Sequence, residues 1–233
     1  MKLGIMQPYF FPYIGYFQLI SAVDCFVIYD NIQYTKKGWI NRNRILVNGK
    51  DEFITIPLEK SSDYLDIREK KISATFSREK LLRRIEAAYR KAPEFKNVYP
   101  MLEDTILSET DNLFDYVKLS LEKVCNFLSI KNNFVTSSGL KIDHTLRNKD
   151  KVIAICKVLR AKKYLNLKGG INLYQKKDFD DEGIALQFIS SNNIYYSQYH
   201  ENFIENLSII DVLMFNKVET ITAWLRDEYT ILM

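Results

Sequence analysis

Five short apolar runs constrain this chain most: Leu3–Met6, Cys25–Tyr29, Phe134–Thr136, Tyr164–Asn166 and Ile184–Ile189. Each is too short for a stable helix and is bounded by turn-forming or charged residues, the pattern of a buried strand. Stretches with helical spacing follow most of them, at Gly15–Ser21, Asp150–Arg160, Ile209–Phe215 and Val218–Tyr229. Such alternation builds an α/β fold in which a mainly parallel sheet is covered on both faces, three layers in all. One departure is expected. Ile40–Val47 and Glu52–Leu58 flank Asn48–Gly49, a strong β-hairpin signal, and Pro57 puts the end of the second arm outside the ladder.

The middle of the chain reads differently. Ser77 caps a helix running to Lys91, with Leu81, Leu82, Ile85 and Tyr89 on one side, and Pro93 breaks it. Two more helices follow, over roughly Glu94–Leu107 and Asp111–Leu128. With 8 Gly and 5 Pro in 233 residues there is little material for linkers, so one domain over 1–233 is expected, with a helical insertion at approximately 77–130.

A net charge of +4, spread along the chain, suits an anionic small molecule or an acidic protein better than nucleic acid. Cys25, Cys125 and Cys156 sit in apolar surroundings without CxxC spacing, which fits a reducing compartment and argues against zinc. The first residues lack the pattern of a secretory leader, and no apolar stretch approaches the ~20 residues of a membrane span. A soluble, cytoplasmic protein without membrane insertion is expected.

Gln7-Pro-Tyr-Phe-Phe-Pro-Tyr-Ile-Gly-Tyr16 is the least ordinary segment. It lies between the first strand and the first helix, where open α/β sheets bind ligands. Two prolines stiffen it, Gly15 admits close backbone approach, and Tyr9 and Tyr13 offer aromatic faces. Its glycine and helix start fall where the HxGH loop of nucleotidyltransferases has them. Tyr13 and Tyr16 replace both histidines, and no second signature follows, so adenylyl transfer loses its proton and charge stabilisers. A buried aromatic cluster wedged under the sheet is the alternative.

Tyr29-Asp30-Asn31-Ile32-Gln33-Tyr34 runs off the second strand, and a carboxylate at Asp30 suits a general base, metal ligand or ribose acceptor. In the hairpin, an extended Asn41-Arg42-Asn43-Arg44 places the asparagines on one face and the arginines on the other, and an arginine pair suits a pyrophosphate or carboxylate. A solvated face anchored by Trp39 is the alternative. Gly169–Gly170 is either an anion-binding turn or simply a tight turn. Ser208 and Asp211 fit the start of a helix without any function, with Gln198 upstream of them. His144 and His200 are the only histidines and lie apart, so neither metal nor cofactor is expected. No P-loop, GxSxG or complete GxGxxG occurs.

Taken together, MQPYFFPYIGYFQLI, FVIYDNIQY, KKGWINRNRIL, YLNLKGGINLY and LSIIDVLMFN resemble the WbqC-like proteins, from Met6 to Asn216. That resemblance implies a place in bacterial surface-polysaccharide biosynthesis and transfer of an acyl group, glycyl among them, to the amino group of a nucleotide-linked amino sugar. An acyl carrier protein, an aminoacyl-tRNA or an amino acid activated in place is then the donor. A non-catalytic binding component and an ATP-dependent ligase are the competing classes. Under the transferase reading Asp30, His144 or His200 serves as base, while Gln7 or Asn41 donates to the oxyanion. Lys37, Arg42 and Arg44 hold the diphosphate, and Tyr9 or Trp39 stacks on the base. Tyr13, Gln33, Asn43, Ser137, Ser138, Gly169, Gly170, Tyr174 and Gln198 complete the expected binding set. Oligomeric state is left open.

Overall fold

The computed structural model describes every residue except Asn132, His200, Glu201 and Met233. Its main sheet contains β1 (Lys2–Met6), β2 (Cys25–Ile28), β5 (Phe134–Thr136), β6 (Lys163–Leu167), β7 (Ala185–Ser191) and β8 (Tyr229–Leu232), in the order β5-β2-β1-β6-β7-β8. All neighbours are parallel except β7 and β8. The hairpin is separate: β3 (Arg42–Val47) pairs only with β4 (Lys50–Thr55), and the turn at Asn48–Gly49 has both residues at positive φ, 49° and 76°. Pro57 lies beyond the ladder, as its missing N–H requires.

Alternate residues of the strands face two cores. Leu3, Ile5, Cys25, Val27, Tyr164 and Leu186 pack against α5 (Asn148–Val158) and α6 (Lys176–Asp180). Phe26, Ile28, Leu165, Leu167 and Ile189 face the opposite side, where α1 (Ile14–Ala22), α7 (Ile209–Phe215) and α8 (Val218–Asp227) lie. The helical insertion, α2 (Arg78–Tyr89), α3 (Phe95–Ile106) and α4 (Leu113–Phe127), shares this second core with the hairpin. Leu81, Leu82, Ile85 and Tyr89 are its buried stripe, and Ser77 caps α2 by accepting from Lys80 N.

Two expectations are corrected, and one short helix was not foreseen. The last helix stops at Asp227, and the chain end becomes β8, because Tyr229–Leu232 finds the free edge of β7. Gly169–Gly170 is no tight turn but part of a 3-10 helix, Lys168–Leu173, where a Cβ on Gly170 would lie 2.7 Å from the Asn166 amide nitrogen. The five-residue α6 was too short for its periodicity to be readable.

The Gln7–Tyr13 loop is tied to β3 and to the start of α7. Phe11 adopts φ 41°, and its carbonyl accepts from Asn43 Nδ2 at 2.8 Å and Ser208 Oγ at 2.7 Å. Asn43 Nδ2 also reaches the Phe10 carbonyl at 3.0 Å, and Ile209 N donates to Pro12 O. Asn43→Ala leaves two buried carbonyls short of a donor; we expect a loss of about 2 kcal/mol in a urea titration. A loss below ~0.5 kcal/mol would show that this clamp is not what holds the loop.

Candidate functional site

The carboxyl ends of β2 and β5 open into a polar cleft of 640 Å³, lined by Asn31, Gln33, Tyr64, Asp66, Arg68, Glu69, His144, Arg147, Asn148 and Lys151. Ligands of open parallel sheets bind at this end of the strands. Asp30 lies beneath the cleft, 1% exposed. Its Oδ1 accepts from Ser137 Oγ at 2.7 Å and Ser138 N at 2.9 Å, while its carbonyl accepts from Arg68 N at 3.2 Å. One residue thus fixes the end of β5 and the short 3-10 helix Ile67–Glu69 against the end of β2.

Charge in the cleft is uneven. Lys151, on α5, is 3% exposed, and its Nζ meets the carbonyls of Asn31 at 3.0 Å and His144 at 3.5 Å, and the ring of Tyr29. Burial holds its pKa below the usual lysine value. Arg68 and Arg147 are exposed, and among the described residues neither they nor Lys151 form an ion pair. The nearby carboxylates of Asp66 and Asp30 act on Lys151 without direct contact, so part of the cost of burying its ammonium is left for an anionic ligand to recover. Asp66 is half-buried, and its pKa is raised, first by burial and then by neighbouring Glu69. Glu69 itself accepts from Asp66 N at 2.8 Å.

A second, more apolar slot of 270 Å³ is lined by Tyr9, Pro12, Tyr13, Trp39, Asn43, Arg44 and Asn206. Gly15 is what lets Tyr13 in: a Cβ there would sit 2.4 Å from the Tyr13 ring. On the hairpin's outer face Trp39 and Phe53 stack, 6.1 Å apart, with Arg44 over Trp39 and Arg42 over Phe53.

The expected site residues therefore divide. Asp30, Gln33, Ser137, Ser138 and His144 gather in or under the cleft; Tyr9, Tyr13, Trp39, Asn43 and Arg44 gather at the slot. Several have structural partners. Asn41 gives its amide to Ile56 O and accepts from Tyr34 OH, and Arg44 pairs with Asp51. Arg42 is held by the carbonyls of Gly38 and Lys37, with Lys37 itself exposed. Gln198 and Tyr196 donate to buried Asp211, with Tyr89 completing the trio, and so pin the loop before α7. Gln7 follows β1 and its carbonyl accepts from Tyr16 OH; Tyr174 packs on Tyr164 and Phe179 on the opposite side of the sheet. Gly169 and Gly170 follow β6, and open space surrounds Gly169. His200 lies outside the described residues.

Sequence reasoning missed Asn31, Asp66, Arg68, Arg147 and Lys151. Lys151 left one trace, a lysine on the apolar side of α5 beside Val152 and Ile155. Among the described residues no three His, Cys, Asp or Glu side chains gather to hold a metal. All three cysteines are buried, Cys125 and Cys156 with thiols pushed up to about 12 by burial. No helix among the described residues is long and apolar enough to cross a membrane.

The fold is α/β, and the carboxyl end of its parallel strands carries a candidate site, a cleft lined by Arg68, Arg147 and Lys151 together with Asp66 and Glu69. The chain belongs to the WbqC-like protein family, whose profile matches residues 7–223. It is 30% identical over 215 residues to the uncharacterized protein Rv1507c of Mycobacterium tuberculosis, covering 91% of this chain and 92% of that one. No solved structure matches.

If Lys151 serves an anion rather than the fold, Lys151→Met keeps the melting behaviour within ~1 kcal/mol of the parent, since an apolar side chain avoids the desolvation cost. The same variant loses the stabilisation that added sulfate gives the parent. Strong destabilisation with an undiminished sulfate response would assign Lys151 to structure.

Proposed function

We propose that the protein transfers an acyl group, glycyl or another aminoacyl, to the amino group of a nucleotide-linked amino sugar in bacterial surface-polysaccharide biosynthesis, in the cytoplasm. The observation that carries this reading is the buried Lys151 flanked by the guanidinium groups of Arg68 and Arg147, none of them in an ion pair among the described residues. Three cations within one cleft suit a diphosphate. Family membership supports a biosynthetic role. The aromatic slot at Tyr9, Tyr13 and Trp39 suits the nucleobase.

Amide formation needs the sugar amine neutral. Asp66, with its raised pKa, lines the cleft and is the group best suited to take the ammonium proton. The amine nitrogen then attacks the donor carbonyl, the C–S or C–O bond to the carrier breaks, and the leaving thiol or hydroxyl takes up a proton. A guanidinium N–H of Arg68 or Arg147 is available to the tetrahedral oxyanion. An acyl carrier protein or an aminoacyl-tRNA supplies the donor. In this reading Asp30 supports the cleft and does not touch substrate. Asn41 builds the hairpin, since both ends of its amide are occupied.

A non-catalytic binding component is the second reading, favoured by one observation: Ser137 and the three cysteines, all buried, offer no free nucleophile.

Asp66→Asn separates the two. As a base, Asp66 must be ionised, so turnover falls with acid at a pH above the ordinary aspartate value, and the variant loses turnover by ~100-fold or more while still melting higher with the nucleotide-linked amino sugar. Retained turnover rules out the assignment; binding without turnover for every carrier donor, in the parent protein, favours the binding component.

A further inference from the structure

Tyr64 supplies the one phenol ring in the lining of the cleft, and the loop that carries it is firmly held. Lys70, 4% exposed, turns its Nζ onto Ser61 Oγ at 3.0 Å and the Ser62 carbonyl at 2.7 Å. The carbonyls on either side of Tyr64 are both taken. Gln33 Nε2 donates to Asp63 O at 2.9 Å, and Tyr34 N donates to Leu65 O at 3.0 Å. Tyr64 N itself donates to Ser62 Oγ at 3.2 Å, and Lys36 pairs with Asp63. The main chain of the loop is thereby fastened to the segment that follows β2.

The side chain is not. Tyr64 is 85% exposed, and among the described residues its ring meets no other ring or cation and its hydroxyl no hydrogen-bond partner. Exposed tyrosines are ordinary on a protein surface. What sets this one apart is a fixed backbone beneath a bare ring at the mouth of a cleft. A ring so placed offers a ligand a flat contact face at little further cost in conformational entropy.

The neighbouring groups select the ligand. Gln33, Asp66, Glu69, Arg147 and Asn148 are planar polar side chains, and among the described residues Gln33 Oε1 and the Asn148 amide have no partner. Carboxylate and amide oxygens accept from hydroxyls, while amide and guanidinium N–H groups donate to them. A pyranose carries hydroxyls around its edge and C–H bonds on its face, and the partial positive charge of those C–H bonds suits the negative face of an aromatic ring. A nucleobase has a face but few such edge groups. We propose that Tyr64 and the planar polar side chains beside it form a sugar subsite, in which a pyranose lies on the Tyr64 ring next to the anion held by Lys151, Arg68 and Arg147. The subsite rests on the proposed function for that anion and adds which side chain takes the sugar ring. Lys70 is a positioning residue, acting through Ser61 and Ser62.

The test is an NMR titration of the full-length protein with glucosamine 1-phosphate, uridine monophosphate and inorganic phosphate. The parent is expected to bind the sugar phosphate more tightly than inorganic phosphate, with the sugar ring protons moved upfield by the tyrosine face. Tyr64→Ala is expected to weaken glucosamine 1-phosphate about tenfold and to leave inorganic phosphate unchanged. Tyr64→Phe should match the parent, because the face and not the hydroxyl makes the contact. An unchanged sugar-phosphate affinity in Tyr64→Ala overturns the subsite. So does a loss shared equally by inorganic phosphate, or one that falls on uridine monophosphate instead and so puts the base on the ring. A parent that binds inorganic phosphate but gains nothing from the sugar also overturns the subsite, while the anion site stands. A parent that binds none of the three overturns both.

Discussion

Asp30 is the residue on which the architecture of the cleft depends. The chain leaves the sheet after β2 and returns only at β5, having built a hairpin and three helices in between. The two strand ends are parallel neighbours with no short connection to align them. The Asp30 carboxylate, bonded to Ser137 Oγ and Ser138 N, ties them side chain to main chain, and its carbonyl receives Arg68 from the excursion itself. Three walls of the cleft therefore meet on a single buried residue. Charge-assisted hydrogen bonds of this kind are stronger than neutral ones, which suits a joint between segments 107 residues apart.

The second fixed point is the carbonyl of Phe11. A left-handed phenylalanine is an uncommon conformation, and here Asn43 from the hairpin and Ser208 from the start of α7 both donate to it. The loop after β1 thus becomes a wall instead of a flap. That wall shapes the aromatic slot, and Trp39 and Arg44 close it from the hairpin side. Cleft and slot differ in character. One offers unpaired cations, the other rings and an arginine already paired with Asp51. In the proposed function the cleft takes the diphosphate and the slot the base.

The parallel sheet was legible because its strands are short apolar runs and buried strands leave little else in the sequence. The hairpin was legible from Asn48–Gly49, and the helical insertion from Ser77 and the stripe ending at Tyr89. β8 was not, because Tyr229–Leu232 continues the helical stretch and only the vacant edge of β7 makes it a strand. The loops at Gln7 and Asp30 stood out by position and composition. The cations opposite them did not: Arg68, Arg147 and Lys151 come from segments that are unremarkable in sequence, and only folding brings them into one cleft. The hairpin arginines attracted attention by clustering, yet Arg44 has Asp51 opposite and Arg42 is held by carbonyls.

The most direct test of this account is a crystal structure with a nucleotide-linked amino sugar bound. The account predicts the diphosphate against Lys151 Nζ and the guanidinium groups of Arg68 and Arg147, with the sugar amine facing Asp66. A diphosphate seated on Arg42 and Arg44 of the hairpin, with the cleft empty, would contradict it.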